Sequence, residues 1–225
     1  MTGAAGFTGR YLVSHLESLG YDARFPSWEF IKSGVDIRNR EVVSQFIDAF
    51  KPTKLIHLAG ISRTQGSNKN ELWDINDIGT RNVIDSFLAR SPSPDHFVFA
   101  STAQVYSGSP KPINENSVTS PWGEYAKSKL AAEEWVLGLA GSLKVSIVRP
   151  FNYTGRGQSV DFLIPKLVQA FRVGDPSLPL GNPEVTRDFS DVRDLVTAYG
   201  NILAYRGTGE VFNVCAGRGV SADSY

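Results

Sequence analysis

The sequence predicts an α/β fold: a doubly wound parallel sheet with helices on both faces and a small, incomplete C-terminal part. Three observations carry this. Short apolar runs alternate with amphipathic stretches of helical period along most of the chain. A glycine-rich turn stands directly before the first of these helices. Apolar residues make up 41% of 225 and charged residues 20%, which suits a real core and not disorder.

The first helix is expected over residues 7–19, where Gly20 stops it. A short strand is expected over 21–25, a helix over 40–50, and a strand over 54–58 that runs into Ala59-Gly60. A long helix over 70–88 precedes a strand over 96–100, and a helix over 124–139 precedes a strand over 144–148. The rhythm then changes. Pro and Gly cluster between Gly174 and Pro183, followed by a helix over 192–205 and a strand over 210–214. Both ends read as cut, since Met1-Thr2 leaves almost no strand ahead of the glycine turn. At the other end, Gly217-Arg218-Gly219-Val220-Ser221 reads as a turn into a further helix.

Charge and cysteine content exclude several classes of function. Lys plus Arg equals Asp plus Glu at 23 each, so clustered positive charge for a nucleic-acid groove or a membrane surface is not expected. The single Cys215 excludes an internal disulfide and fits a reducing compartment. No apolar run is long enough to span a bilayer, and no basic-then-apolar leader opens the chain. A cytoplasmic protein is expected. His15, His57 and His96 lack metal-ligand spacing and are read as structural, and Trp73, Trp122 and Trp135 are read as packing residues.

Four local patterns carry chemistry. In Thr2-Gly3-Ala4-Ala5-Gly6-Phe7-Thr8-Gly9 the glycines recur every three residues ahead of a helix, so a pyrophosphate can approach the helix N-terminus without meeting Cβ atoms. Asp36-Ile37 follows the second expected strand and offers either a carboxylate for an adenine amine or a helix cap, and Asn39 can also cap. Ser101-Thr102 closes an apolar strand, where hydroxyls of a parallel sheet face a ligand cleft. Tyr125 and Lys129 stand one helical turn apart, and an ammonium near a phenol is expected to lower its pKa and suit it to proton transfer.

Together these elements resemble the extended short-chain dehydrogenase/reductase family, also called the NAD-dependent epimerase/dehydratase family. Further matches are His57-Leu58-Ala59-Gly60, Asn76 with Gly79-Thr80-Arg81-Asn82, Arg149-Pro150-Phe151-Asn152 and Arg187-Asp188-Phe189. The resemblance implies a Rossmann-like domain over residues 1–150, with a partial nucleotide-sugar region over 151–225 mixed with the last sheet elements. It implies Thr102, Tyr125 and Lys129 as the catalytic triad. It implies a cofactor site from Gly3, Gly6, Phe7, Thr8, Gly9, Asp36, Ile37, Leu58, Ala59, Gly60 and Asn76 with Tyr125 and Lys129. Asn152 and Arg187 would bind the diphosphate of the substrate, with Thr102 at its sugar, and the chain would form a homodimer. The segment from Gly181 to Asp194 is similar to that of GDP-mannose 4,6-dehydratases and GDP-6-deoxy-4-keto-mannose reductases, which implies a GDP-linked sugar.

The activity this implies is NAD(P)-dependent reduction at C4 of a GDP-4-keto-6-deoxy sugar. A nucleotide-sugar 4-epimerase with the same triad, and a catalytically silent NAD(P)-binding protein, are the alternatives. In the related dehydratases an acidic residue follows the catalytic threonine, whereas here Ala103 and Gln104 do, so a dehydratase is not expected. Directly at the end of the strand expected over 21–25 the chain reads Phe25-Pro26-Ser27, with no acidic residue for a ribose hydroxyl, and Arg24 and Ser27 tolerate a 2′-phosphate, which leans the cofactor from NAD toward NADP.

Overall fold

The computed structural model describes residues 1–22, 35–62, 68–109, 111–174 and 185–221. Among these residues four strands form the main sheet: β1 (Lys54–His57), β2 (His96–Ala100), β3 (Lys144–Pro150) and β6 (Glu210–Val214), all parallel and in that spatial order. Lys54 stands opposite His96, Phe99 opposite Ile147, and Ile147 opposite Val211. Thr2 adds a parallel bridge to His57 on the free side of β1, with its N–H donating to Ile56 O at 3.0 Å.

The apolar strand runs explain the layering. Adjacent strand residues point to opposite faces. Leu55, Phe97, Phe99 and Ile147 pack on one face against α2 (Arg40–Phe50), α4 (Gly79–Arg90) and α5 (Gly123–Leu137). Their neighbours Ile56, Val98 and Val148 pack on the other face against α1 (Phe7–Ser18) and α7 (Val192–Ala204). A sheet covered on both faces needs such continuous apolar strands. The predicted doubly wound fold is the one observed.

Boundaries follow local chemistry. Asn39 caps α2, its side chain accepting from the N–H groups of Glu41 and Val42, so the cap falls to Asn39 and not to Asp36. Asp191 caps α7 through Arg193 N–H. The helix expected over 70–88 is interrupted: α3 (Lys69–Trp73) passes through a π-helical turn at Asp74–Ile78 into α4. A second, three-stranded sheet pairs β4 (Asn152–Thr154) in parallel with β5 (Arg187–Asp191), and β5 in antiparallel with β7 (Gly219–Val220).

The structure departs from some of these expectations and adds to others. Residues 163–173 carry an unexpected amphipathic helix, α6 (Leu163–Val173), which ends at Gly174 with φ +68° and buries none of its side chains. The turn at Gly217, φ +77°, leads into β7, and the further helix expected beyond it falls outside the described residues. Trp122 is 92% exposed, and Trp135 lies on the surface beneath the Arg81 guanidinium at 4.4 Å, so neither is a packing residue. The side chain of Ile37 joins the core cluster on the α2 face of the sheet. The strand expected over 21–25 falls largely outside the described residues, as do Arg24, Ser27 and much of the Pro/Gly cluster.

Candidate active site

The C-terminal ends of β1, β2 and β3 open into a cavity of about 470 Å³, closed on its far side by β4, β5 and the start of α6. The glycine turn forms one wall. Gly3 has φ +72°, and a Cβ on it would come within 2.7 Å of Ala59 N, so the turn and the end of β1 touch backbone to backbone. A Cβ on Gly9 would overlap the carbonyls of Gly3 and Ala4. Gly6 caps α1 without a side-chain hydrogen bond, and the first turn carries no acidic residue. The positive end of α1 therefore meets the cavity through bare backbone. Phe7 and Thr8 line the same wall, held by the ring of Tyr153 stacked on Phe7 and by a 2.9 Å hydrogen bond between the Thr8 and Tyr153 hydroxyls.

Leu58 and Gly60 continue the wall at the end of β1. Asn76 faces them from the π-helical turn and is fully buried. Its Oδ1 accepts from Ile61 N–H at 2.9 Å, and its amide donates to Ile61 O and Ser128 Oγ, both at 3.1 Å. A Cβ on Gly60 would come within 2.9 Å of Asn76 Oδ1. The π-turn thus brings Asn76 to the cavity floor, and such turns recur at functional sites. Asp36, Ile37 and Ala59 do not line the cavity. The Asp36 carboxylate forks onto the Arg38 guanidinium at 2.6–2.9 Å, and that bond holds it below the usual carboxylate range.

Tyr125 and Lys129 reach the cavity from one face of α5, and Thr102 reaches it from the end of β2. Thr102 Oγ1 accepts from Gln104 N–H at 3.2 Å, starting a single 3₁₀ turn at Ala103–Val105, and its hydroxyl lies near enough to the Tyr125 phenol to favour the phenol's ionised form. Burial pushes the phenol up to about 12, against the opposing pull of the Thr102 hydroxyl. The lowered phenol pKa expected from Lys129 is therefore not found: desolvation wins. Burial also brings the Lys129 ammonium down to about 7, and Glu133 partly offsets it. Lys129 Nζ lies 4.2 Å above the Phe99 ring, a further attraction for its charged form.

Asn152 and Arg187 line the opposite wall. Pairing of β4 with β5 places Asn152 opposite Phe189, and Asn152 Nδ2 donates to Asp188 O at 3.2 Å. The Asp188 carboxylate accepts the N–H groups of Ala216 and Arg218 at 2.7 and 2.9 Å, fixing the turn after β6. Sequence reasoning left Tyr153 and Gln158 without roles and read Gln104 only as evidence against a dehydratase, yet all three line the cavity. Tyr153 and Gln158 stand in the stretch beginning Arg149-Pro150, and that adjacency was their only signal. Of the histidines, His57 bridges Thr2 and Thr80, and His96 bonds Ser146 and Leu203 O. Among the described residues no cluster of three metal-ligating side chains occurs.

Known proteins share this architecture. GDP-6-deoxy-D-talose 4-dehydrogenase of Aggregatibacter actinomycetemcomitans is 29% identical over 98% of this chain and 75% of its own length. GDP-6-deoxy-D-mannose reductase of Pseudomonas aeruginosa is 31% identical over 97% of this chain and 74% of its own length. The solved structure of RMD from Pseudomonas aeruginosa complexed with NADPH superposes with a TM-score of 0.84 at 29% identity, covering 99% of this chain and 79% of that one. A family model, the NAD dependent epimerase/dehydratase family, matches residues 1–215. With a glycine turn under a parallel sheet, Thr102, Tyr125 and Lys129 on one cavity, and this match over nearly its whole length, the chain belongs to the NAD dependent epimerase/dehydratase family.

Proposed function

We propose that the protein is an NAD(P)-dependent oxidoreductase that reduces C4 of a GDP-linked 4-keto-6-deoxy sugar. The observation that carries this reading is the convergence of Thr102, Tyr125 and Lys129 on one cavity that also holds the glycine cradle. The cradle fits a dinucleotide, because its glycines leave backbone where Cβ atoms would obstruct a pyrophosphate. A nicotinamide bound there supplies the hydride.

The chain's own residues supply the rest. Gly3, Gly6, Phe7, Thr8 and Gly9 take the pyrophosphate, with Leu58, Gly60 and Asn76 beside them and Asp36, Ile37 and Ala59 supporting from outside the cavity. Lys129 takes the nicotinamide ribose. Tyr125 gives its proton to the C4 oxygen as the carbonyl becomes an alcohol, and Thr102 hydrogen-bonds that oxygen. Asn152 and Arg187 take the sugar-nucleotide diphosphate, for which a guanidinium is a good forked partner. Residues 1–150 serve the cofactor, and 151–225 serve the sugar nucleotide while returning α7 and β6 to the main sheet. Relatives that act on GDP-sugars, and one solved with NADPH, support GDP and NADP as the specific choices.

The test is oxidation of NADPH by GDP-4-keto-6-deoxymannose. Stoichiometric consumption supports a reductase. Inversion at C4 of a GDP-linked sugar that carries a C4 hydroxyl, without net cofactor consumption, identifies a 4-epimerase, and tight cofactor binding without turnover of either sugar identifies a silent binding protein. Mass spectrometry of copurifying ligands reports the cofactor and the base.

We further place the protein in the cytoplasm as a homodimer. No helix among the described residues is long and apolar enough to cross a membrane, and Cys215 is a free thiol. The outer faces of the π-turn and α5 present Ile78 at 46% and Trp135 at 40% exposure. Leu72 and Val136, on the same helices, are spent in the core. Light scattering at high micromolar concentration should give twice the chain mass; a monomer would remove the dimer.

A further inference from the structure

We propose that the buried Glu133–Arg149 ion pair is a positioning device: it holds segment 101–106 at both ends and so keeps the Thr102 hydroxyl in the cavity beside Tyr125. The inference rests on the functional reading above, and adds residues to that reading which do not touch the reacting atoms.

Glu133 is the next step along the helical face that carries Tyr125 and Lys129, one turn deeper in the protein. It is 1% exposed and Arg149, at the end of central strand β3, is 5% exposed. The pair is forked: Arg149 Nη2 meets Glu133 Oε1, and Arg149 Nε donates to Oε2 at 3.1 Å. Two further bonds leave the pair, one to each end of the same segment. Ser101 Oγ donates to Glu133 Oε2 at 2.7 Å. Arg149 Nη1 donates to the Tyr106 hydroxyl at 2.6 Å, with the guanidinium 4.8 Å over the Tyr106 ring. Tyr106 donates its own proton to Asn213 Oδ1 at 2.9 Å, tying the assembly to β6.

Between these anchors lie Thr102 and the 3₁₀ turn, and Thr102 and Gln104 both line the cavity. Burying two charges is costly, and an apolar pair of equal volume fills space as well or better. What apolar side chains cannot do is make directional bonds to Ser101 and Tyr106 at once. The geometry therefore assigns the pair to placing the segment, whose Thr102 hydroxyl must stand beside Tyr125 to within a fraction of an ångström.

The test is a mutant cycle on the full chain, because Glu133→Ala would leave a buried charge unpaired and endanger folding. Ser101→Ala with Tyr106→Phe removes both outgoing bonds and leaves the ion pair in place. NADPH oxidation by the keto-sugar should then fall about 10- to 100-fold in kcat, with the KM for NADPH within about twofold of the parent. Thr102→Val should also slow turnover, and adding it to the double variant should cost nothing further, since the anchors act through Thr102. Unchanged kcat in the double variant, or losses that multiply with Thr102→Val, would overturn the proposal. If circular dichroism shows the double variant unfolded, Ser101→Ala alone enters the same cycle: a slowed kcat that Thr102→Val does not deepen supports the device, and either of the other results overturns it. Full turnover by Thr102→Val would instead overturn the functional reading, and the anchors' role with it.

Discussion

Tyr125→Phe is expected to lower turnover about 100- to 10,000-fold, the usual loss on removing a general acid. NADPH binding should stay near the parent value. The phenol is the proton source in the cavity: burial holds its pKa at about 12, so it keeps its proton throughout the neutral range. That state suits reduction, in which the C4 oxygen must receive a proton as hydride arrives at carbon. Phenylalanine preserves the ring and its packing and deletes only the hydroxyl beside Thr102. The glycine cradle and Asn76 stand on other elements, so the cofactor loses little. Steady-state NADPH oxidation and a fluorescence titration of NADPH separate the two effects. Near-parental turnover would remove Tyr125 as the acid. A matching loss of NADPH affinity would assign it to binding.

The fold was legible because its signals are periodic and local. The alternation of Leu55 with Ile56, and of Phe97, Val98 and Phe99, already encodes a sheet buried on two faces. Asn39, Gly20 and the glycine turn mark ends by their own conformational needs. The shared face of Tyr125 and Lys129 was legible through spacing, since residues one turn apart on a helix lie on the same side. What escaped the sequence depends on distance in space. The π-turn at Asp74–Ile78 has no residue signature, yet Asn76, its fully buried amide on the cavity floor, sits within it. Helix α6 carries apolar period but no fully buried residue, in a stretch just ahead of the Pro/Gly cluster where the sequence suggested no element. The direction of the Tyr125 shift was misjudged because the helix spacing shows the neighbouring ammonium and not the desolvation that outweighs it. Glu133 and Arg149 meet from elements whose pairing only the folded sheet reveals.

The second large effect is an absence of reaction: GDP-mannose with NADP should yield no 4-keto-6-deoxy product. Removing water across C5 and C6 of a keto-sugar requires a base for the C5 proton and an acid for the departing hydroxyl. Among the described residues the cavity is lined by no aspartate or glutamate. The positions after Thr102 are Ala103 and Gln104, and of these Gln104 alone reaches the cavity. A glutamine amide hydrogen-bonds a sugar hydroxyl but does not exchange protons near neutral pH. Two carboxylates lie near on the same helix, and both are committed elsewhere. Glu124 accepts from Trp73 Nε1 at 2.9 Å and pairs with Lys69 and Lys127, which keeps it ionised and turned from the cavity. Glu133 is locked between Arg149 and Ser101. Lys129, brought down to about 7 by burial, is the remaining candidate base, but the same reading commits it to the nicotinamide ribose. The check is chromatography of the GDP-mannose reaction after prolonged incubation, with a GDP-mannose dehydratase as positive control. A 4-keto-6-deoxy product would show that elimination proceeds without a carboxylate on the cavity wall, and would overturn the reductase assignment. Restoring one, by Gln104→Glu, is the variant in which traces of elimination are to be sought first.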